Sequence, residues 1–378
     1  MFRLPDTVSS QIKRRLDGSS KPTYKHTMSF GKHKLFLYGI LALLGFLLPA
    51  LSATAQTVRR WREPEKYDNG EQASVAVLST GLVVEFHRNP PPSYGFARTI
   101  WYHIGKISHG SIQWGPSHKM ELGTTDVAWP QVAVTPQGQV IFTYSDWTTS
   151  LHSDLIYWTG RIKPDGDTSQ TIDWVQKNIN YDGGFHNNLA LAPFYTYGVF
   201  TDVHEARGTG NGLYYRIGYL GGDMLIKWIT GSKGVKYESG MNPHIAINGD
   251  NEVVEVHQVT SEWLLHYRRG SISAEVPGLS GINFQQSHRY NDSAVRPAVA
   301  FIGRQTVVEM HGDRGLRFRI GTLSLRDRDV IDWTTPEVIS VNDSSFTTPS
   351  VSSNGKVVVS VFERTGGAQL YFSVAEVE

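Results

Sequence analysis

Four times in this chain an acid stands two residues before a histidine: Glu85-x-His87, Asp202-x-His204, Glu255-x-His257 and Glu309-x-His311. On a strand that spacing puts carboxylate and imidazole on one face, because successive side chains alternate. Two chemistries suit such a pair. Together they can gather a ligand or a divalent cation such as zinc. Equally, they can satisfy each other inside a stack of sheets, where a buried polar group needs a partner. Two further copies carry Thr143-x-Ser145 and Ser360-x-Phe362 in that place. A metal ring through every copy is therefore excluded, and the sequence calls for neither a metal nor another cofactor. A second group sets an arginine beside an aromatic, in Tyr215-Arg216, Tyr267-Arg268 and Phe318-Arg319. Such an arginine can grip hydroxyls or carboxylates, or stack and extend to the rim. The four acid–histidine pairs and these three arginines form the candidate ligand-binding set.

No catalytic residue is assigned. The chain has no Gly-x-Ser-x-Gly elbow, no His-Glu-x-x-His and no phosphate loop. Asp126, Asp146, Asp154, Asp182 and Asp202 are the carboxylates available for glycosidic chemistry. The segment Lys163 to Asp167 has part of a calcium loop but lacks the later acidic ligand, and reads as a hairpin turn.

The elements that position these residues are short β-branched and aromatic runs broken by Gly, Asn, Asp and Pro, with no long amphipathic helix. They recur. The stretch from Tyr237 to Phe284 gives Tyr-x-x-Gly, then Asn242 to Ile247, Val253 to His257, Leu264 to Gly270 and Gly281 to Phe284. Similar copies begin at Tyr67, Tyr181 and Tyr290, and two degenerate ones begin at Pro130 and Pro349. Four strands repeated at about 50 residues predict an all-β fold, a six-bladed β-propeller, with seven blades the main rival. The last copy ends at Glu378 after its third strand, while Val58-Arg59-Arg60-Trp61 stands alone before the first Tyr-x-x-Gly. That N-terminal strand is expected to complete the last blade. One aromatic per copy (Trp61, Trp114, Trp174, Trp228, Phe284 and Trp333) is read as packing between blades rather than as a row of sugar platforms.

Residues 1–55 stand apart from the repeats. Positions 1–34 hold eight Lys or Arg against two acids, followed by an apolar run from Leu35 to Leu48 and the exit Ala53-Thr54-Ala55. This is the pattern of a secretory signal, and the run is short for a membrane span of about 20 residues. The expectation is an exported protein, secreted or periplasmic, with the domain at 56–378. Contact with a membrane is expected only through residues 35–51, as an anchor, should the leader stay uncleaved. Without the leader, 28 basic and 33 acidic side chains remain. A net charge of −5 suits no phosphate backbone, so nucleic acid is excluded as a partner. There is no cysteine, hence no disulfide, thiolate site or lipid anchor on sulfur.

The motifs Tyr-x-x-Gly, Val-Val-Glu-Val-His, Leu-x-Tyr-Arg-x-Gly and Ile-x-Trp resemble tandem β-propeller repeats of secreted bacterial and fungal proteins. Such repeats stand alone or follow a catalytic domain such as a phosphatidylinositol phosphodiesterase. The arrangement is also similar in style to lectin propellers with one sugar site per blade junction. The Ser-x-Asp-x-Gly-x-Thr-Trp box of sialidase-type propellers is missing. The resemblance implies a carbohydrate-binding, lectin-like protein with repeated sites and glycans or cell-surface carbohydrate as partners. Two alternatives stand beside it. One is a polysaccharide-active glycoside hydrolase or lyase with a single site in the divergent blades 2–3, around the insertions Ser145 to Asp154 and Tyr195 to Asp202. The other is a non-catalytic protein-docking platform.

Overall fold

The computed structural model describes residues 56–89, 98–124, 126–149, 152–162, 171–192, 198–206, 211–259, 263–272, 281–291, 294–313, 315–339, 346–364 and 368–378. The chain divides into two units after Thr54, and the described residues all belong to the second. The leader and the Lys163 to Asp167 loop lie outside the described residues.

Among the described residues all regular structure is β, paired antiparallel into five sheets. The first contains Glu71–Val77, Leu82–Arg88, Ile100–Ser108 and Ser111–Trp114. The second has eight strands and runs from Val127–Val134 to Ile226–Trp228. Its long strand Ile172–Leu191 pairs through residues 172–183 with His152–Ile162, and through residues 184–191 with Val199–Ala206. The third sheet holds Met241–Ile247, Glu252–Val259, Leu264–Ile272 and Ile282–Phe284; the fourth holds Val295–Phe301, Thr306–Gly312, Leu316–Leu323 and Ile331–Trp333. The fifth joins the two ends of the unit: Phe346–Ser353, Val357–Arg364 and Gln369–Glu376 are completed by Glu65–Asn69. The arrangement is a β-propeller, in which no sheet buries both faces alone and each packs on its neighbours.

The closing latch has two parts. Val58 bridges Val377, Arg59 N–H donates to Glu376 O, and Arg62 N–H donates to Val374 O. Glu65–Asn69 then continues along the same last strand. Trp61, buried beside that strand, meets Phe318 of the fourth sheet edge-on at 5.7 Å.

The other repeated aromatics do the same between sheets. Trp333 stacks on Tyr290 at 5.1 Å and meets Tyr267 of the third sheet at 5.8 Å; Trp114 stacks on Tyr67 at 4.9 Å and meets Phe372 of the fifth sheet. The glycine two residues after the Tyr-Arg motif, or after Tyr102-His103 in the first sheet, lets this happen. A Cβ on Gly105 would lie 2.8 Å from the Trp114 ring and 2.6 Å from Ile112, too close for any side chain. The motif tyrosines staple successive units. The phenol oxygens of Tyr102, Tyr215 and Tyr267 accept the N–H groups of Ile172, Ile282 and Ile331 at 3.2, 3.2 and 3.0 Å.

Candidate functional site

The acid–histidine pairs sit inside the stack. Glu85, His87, Asp202, His204, Glu255, His257, Glu309 and His311 are all at most 2% exposed. In each pair the imidazole Nδ1 faces its own acid: His87 at 3.1 Å from Glu85, His204 at 2.6 Å from Asp202, and His257 and His311 at 3.0 Å from Glu255 and Glu309. In three of these repeats the opening tyrosine caps the acid. Tyr181, Tyr237 and Tyr290 donate to Asp202, Glu255 and Glu309 at 3.1, 2.9 and 3.0 Å. Burial, then the adjacent carboxylate, holds these phenols far above their ordinary range, so they remain donors. The glycine of Tyr-x-x-Gly makes room for the imidazole: a Cβ on Gly240 would lie 2.8 Å from the His257 ring.

The arginines close the clusters. Arg216, 1% exposed, lies 4.1 Å from the Trp228 ring centre and donates to the carbonyls of Tyr181 and Gly231. Arg319 donates to Tyr290 O at 2.9 Å and stands 3.4 Å from Glu309. Arg268 pairs with Glu238 at 2.8 Å. Arg216, Arg268 and Arg319 each face the cluster's own acid across the sheet, in register with Asp202, Glu255 and Glu309. Thr143-x-Ser145 is not the counterpart of these pairs. Val132 faces Phe142 as Val75 faces Glu85, so Phe142 and Tyr144 take the acid and histidine places. The one-residue shift puts Thr143 and Ser145 on the other face.

A different set of residues surrounds the central channel. Six strands line it, and each carries a β-bulge whose extra residue has positive φ: Gln72 (54°), Trp129 (54°), His186 (48°), Asn242 (50°), Arg296 (51°) and Thr348 (52°). None is glycine. For residues with a Cβ this conformation costs on the order of 1–3 kcal/mol each and persists only where neighbours impose it. Here side chains of the preceding strand unit do so. Gln72 N–H donates to Glu363 at 3.0 Å, Trp129 N–H to Gln72 at 2.9 Å and Asn242 N–H to Glu205 at 2.6 Å. One step along the channel a second tier repeats the device. Val75, Val132, Ile245 and Val299 donate to Ser350, Ser74, Asn188 and His244 at 3.2, 3.2, 2.9 and 3.2 Å. Because Val299 donates to Nδ1, His244 is neutral there, and desolvation pushes its pKa down to about 3.

Bulges turn side chains aside from the regular alternation, and all six bulge residues border one small space of about 60 Å³. Gln72, His186, Asn242 and Arg296 also line a larger cavity of about 610 Å³ at the mouth, together with Glu71, Arg88, Trp263 and Glu363. The Trp129 ring lies 4.0 Å from His186 and 5.8 Å from the Arg296 guanidinium. Arg296 also reaches Glu363 at 3.3 Å and Thr348. Trp263 (61% exposed) offers an open ring at the cavity wall, and Trp147 (42% exposed) stands beside Phe185. The mouth thus combines arginines, amides, carboxylates and one open indole, that of Trp263. The opposite reach of the channel, about 420 Å³, is lined mainly by Val, Ala and Ile of the same strands and their hairpins.

None of the five aspartates named from the sequence lines the mouth cavity. Asp202 is in a cluster, Asp182 accepts from Gly234 N–H at 3.1 Å, Asp126 pairs with Arg98 at 3.4 Å and Asp146 accepts from Thr124 at 2.9 Å. Among the described residues the cavity draws its lining from all five sheets and from neither insertion. Sequence reasoning missed the mouth because its positions share no residue type. The one available signal was the polar residue ahead of the inner aliphatic-Ala pair in four copies, Ser74, Gln131, Asn188 and His244.

No protein-family model matches the sequence, and no curated protein is significantly similar to it. Solved structures do resemble it. A protein of unknown function from Dyadobacter fermentans DSM 18053 superposes with a TM-score of 0.55 at 12% identity, over 86% of this chain and 98% of that one. An α-L-arabinanase of Penicillium chrysogenum complexed with arabinobiose gives 0.56 at 12%, over 84% and 99%. A mutant of the NanB sialidase of Streptococcus pneumoniae gives 0.53 at 9%, over 88% and 72%. At these identities the likeness concerns the fold, and it defines the class of this chain as an all-β propeller.

Proposed function

We propose that this protein is an exported carbohydrate-binding propeller of six blades, with its sugar site at the bulge end of the central channel. The six-blade reading counts the eight-stranded sheet as two blades sharing the strand Ile172–Leu191. One observation carries the assignment of the site. At the bulges the backbone repeats in every inner strand, while the side chains are Gln, Trp, His, Asn, Arg and Thr. A position whose geometry is kept at a cost and whose chemistry differs each time builds one asymmetric pocket. Amides, guanidinium groups and carboxylates match sugar hydroxyls, and the open indole of Trp263 matches the apolar face of a pyranose ring. The cavity of about 610 Å³ falls within the ordinary range for small-molecule sites. Sugar-directed names among the like-folded proteins, an arabinanase and a sialidase, agree with glycans as partners.

This reading replaces repeated sites with a single one. The acid–histidine–tyrosine clusters act as clamps between blades, each acid engaged by its own histidine and, in three of them, by a tyrosine. Binding is favoured over hydrolysis because the glutamates nearest the bulges, Glu71, Glu205 and Glu363, are engaged, Glu71 by Arg88. Glu205 accepts from His186 and Asn242 N–H; Glu363 accepts from Gln72 N–H, Thr348 and Arg296. The test is binding of the purified protein to a broad glycan array, with Arg296→Ala and Trp263→Ala beside the wild type. A related set of sugars bound by the wild type and lost in Arg296→Ala supports the proposal. Release of reducing ends from a bound glycan would turn it into a hydrolase, and a blank array would favour protein docking.

A further inference from the structure

One cluster differs from the others in a single cross-strand residue. In the first sheet the place opposite the acid is taken by His103, where the others have Arg216, Arg268 and Arg319. The exchange brings His87, His103 and Asp68 together, with one ligand-type atom from each lying within 4.8 Å of the others. Both histidines are buried, and Asp68 is 26% exposed at its side chain. Asp68 Oδ2 stands 3.6 Å from His87 Nε2 and 2.7 Å from His103 Nε2.

The tautomers follow from the partners. His103 Nδ1 lies 3.1 Å from the Gly115 carbonyl, which can only accept, so Nδ1 carries a proton. His87 Nδ1 lies 3.1 Å from both oxygens of Glu85 and is likewise the donor. In the neutral rings both Nε2 lone pairs face the Asp68 carboxylate, so the trio takes up either a metal cation or a second proton on His103, whose Nε2 lies at hydrogen-bond distance from Asp68. Imidazole held at Nδ1 by a carboxylate or a carbonyl, with Nε2 free to ligate, is the usual outer support of a zinc-bound histidine. Tetrahedral zinc with bonds of about 2.0–2.1 Å sets its ligand atoms roughly 3.3 Å apart. The observed 2.7 and 3.6 Å bracket that spacing. The corresponding atom of His311 instead meets Asn291 at 2.9 Å, and His204 faces Asp182 with Arg216 already paired to it at 3.5 Å.

We propose that Asp68, His87 and His103 bind one zinc-type divalent cation, with a fourth position open to water on the side of Asp68. The site lies on the seam of the ring. Asp68 belongs to the strand Glu65–Asn69, which is paired to the last strand of the unit, and both histidines belong to the first sheet. The ion fastens the place where the two ends of the domain meet, so binding and ring closure are linked and the folded state gains stability with metal concentration. This site is independent of the sugar site proposed above.

The experiment titrates Zn²⁺ into chelator-treated, dialysed protein, reading calorimetric stoichiometry and Tm, with Co²⁺ absorption as a second readout. The expected result is one ion per chain, a Tm that rises with Zn²⁺, and the visible bands of tetrahedral Co²⁺. His103→Arg installs the residue found in the other clusters, so it should fold with an unchanged apo Tm and lose the ion, the Tm shift and the Co²⁺ bands together. Absence of one-to-one binding by the wild type would overturn the proposal, leaving a shared proton as the cation. Equal binding by His103→Arg would overturn it as well.

Discussion

The clusters between sheets and the ring of bulges around the channel mouth are built on the same repeat and treat it in opposite ways. Between sheets the side chains recur, as in Tyr237, Glu255 and His257 against Tyr290, Glu309 and His311, and their polar atoms face inward. Around the mouth the strained backbone recurs and the side chains do not. Repetition of side chains serves a job done once at every junction, namely holding neighbours together in a low-dielectric setting where an unpaired polar group is expensive. Repetition of backbone alone gives a fixed frame on which six different groups are presented. The buried Glu and His are the more conspicuous in sequence, while Gln72, Trp129 and Asn242 are the partly exposed ones.

The comparison breaks most sharply at a cluster. Glu309→Ala strips the partner from His311, Tyr290 and Arg319 at once. Removing one member of a buried, paired group costs about 3–5 kcal/mol, to be measured by denaturant unfolding. Ligand affinity per folded molecule should not change. At the mouth the balance reverses: Arg296→Ala should cost glycan affinity about tenfold or more, on the order of 2 kcal/mol as for a binding hot spot, with Tm nearly that of the wild type. Trp263→Ala, at the wall of the same cavity, should lose less affinity and leave stability unaltered.

The sequence made one of these regions readable and hid the other. Ile-x-Trp, Tyr-x-x-Gly and the third-strand glycine each mark a close approach, such as Gly105 beneath Trp114 or Gly240 beside His257, so repetition of type reported repetition of structure. Trp61 was legible as the closing aromatic for the same reason. The bulges were not, because an extra residue of variable type leaves no periodic trace. Phe142 and Tyr144 were misplaced by one residue since Thr143 and Ser145 imitate a polar pair, and only the pairing of Val132 with Phe142 fixes the face. The special character of His103 also needed the structure, because its meaning lies in standing across the sheet from Glu85.

Acid sharpens the comparison from the side of the channel. His244 holds its proton more weakly in the folded protein than an ordinary imidazole near 6.5. As pH falls below about 6.5 the unfolded chain takes up a proton that folded His244 refuses, so its contribution to stability is full above that value and declines toward pH 3. His244→Asn keeps an acceptor for Val299 N–H, as Asn188 does for Ile245, and should reduce the acid sensitivity of Tm. The smallest expected effect belongs to the staples. Tyr215→Phe removes the acceptor for Ile282 N–H, at a cost of roughly 1–2 kcal/mol in unfolding experiments, with no change in ligand affinity.

The most direct test of the central claim is one calorimetric titration of the best array glycan into three proteins: wild type, Arg296→Ala and Glu255→Gln, each corrected for its folded fraction. The account predicts one site per chain in the wild type, affinity lost in Arg296→Ala and kept in Glu255→Gln. Several sites per chain, or affinity lost in Glu255→Gln at an unchanged Tm and kept in Arg296→Ala, would contradict it and return the ligand to the clusters between the sheets.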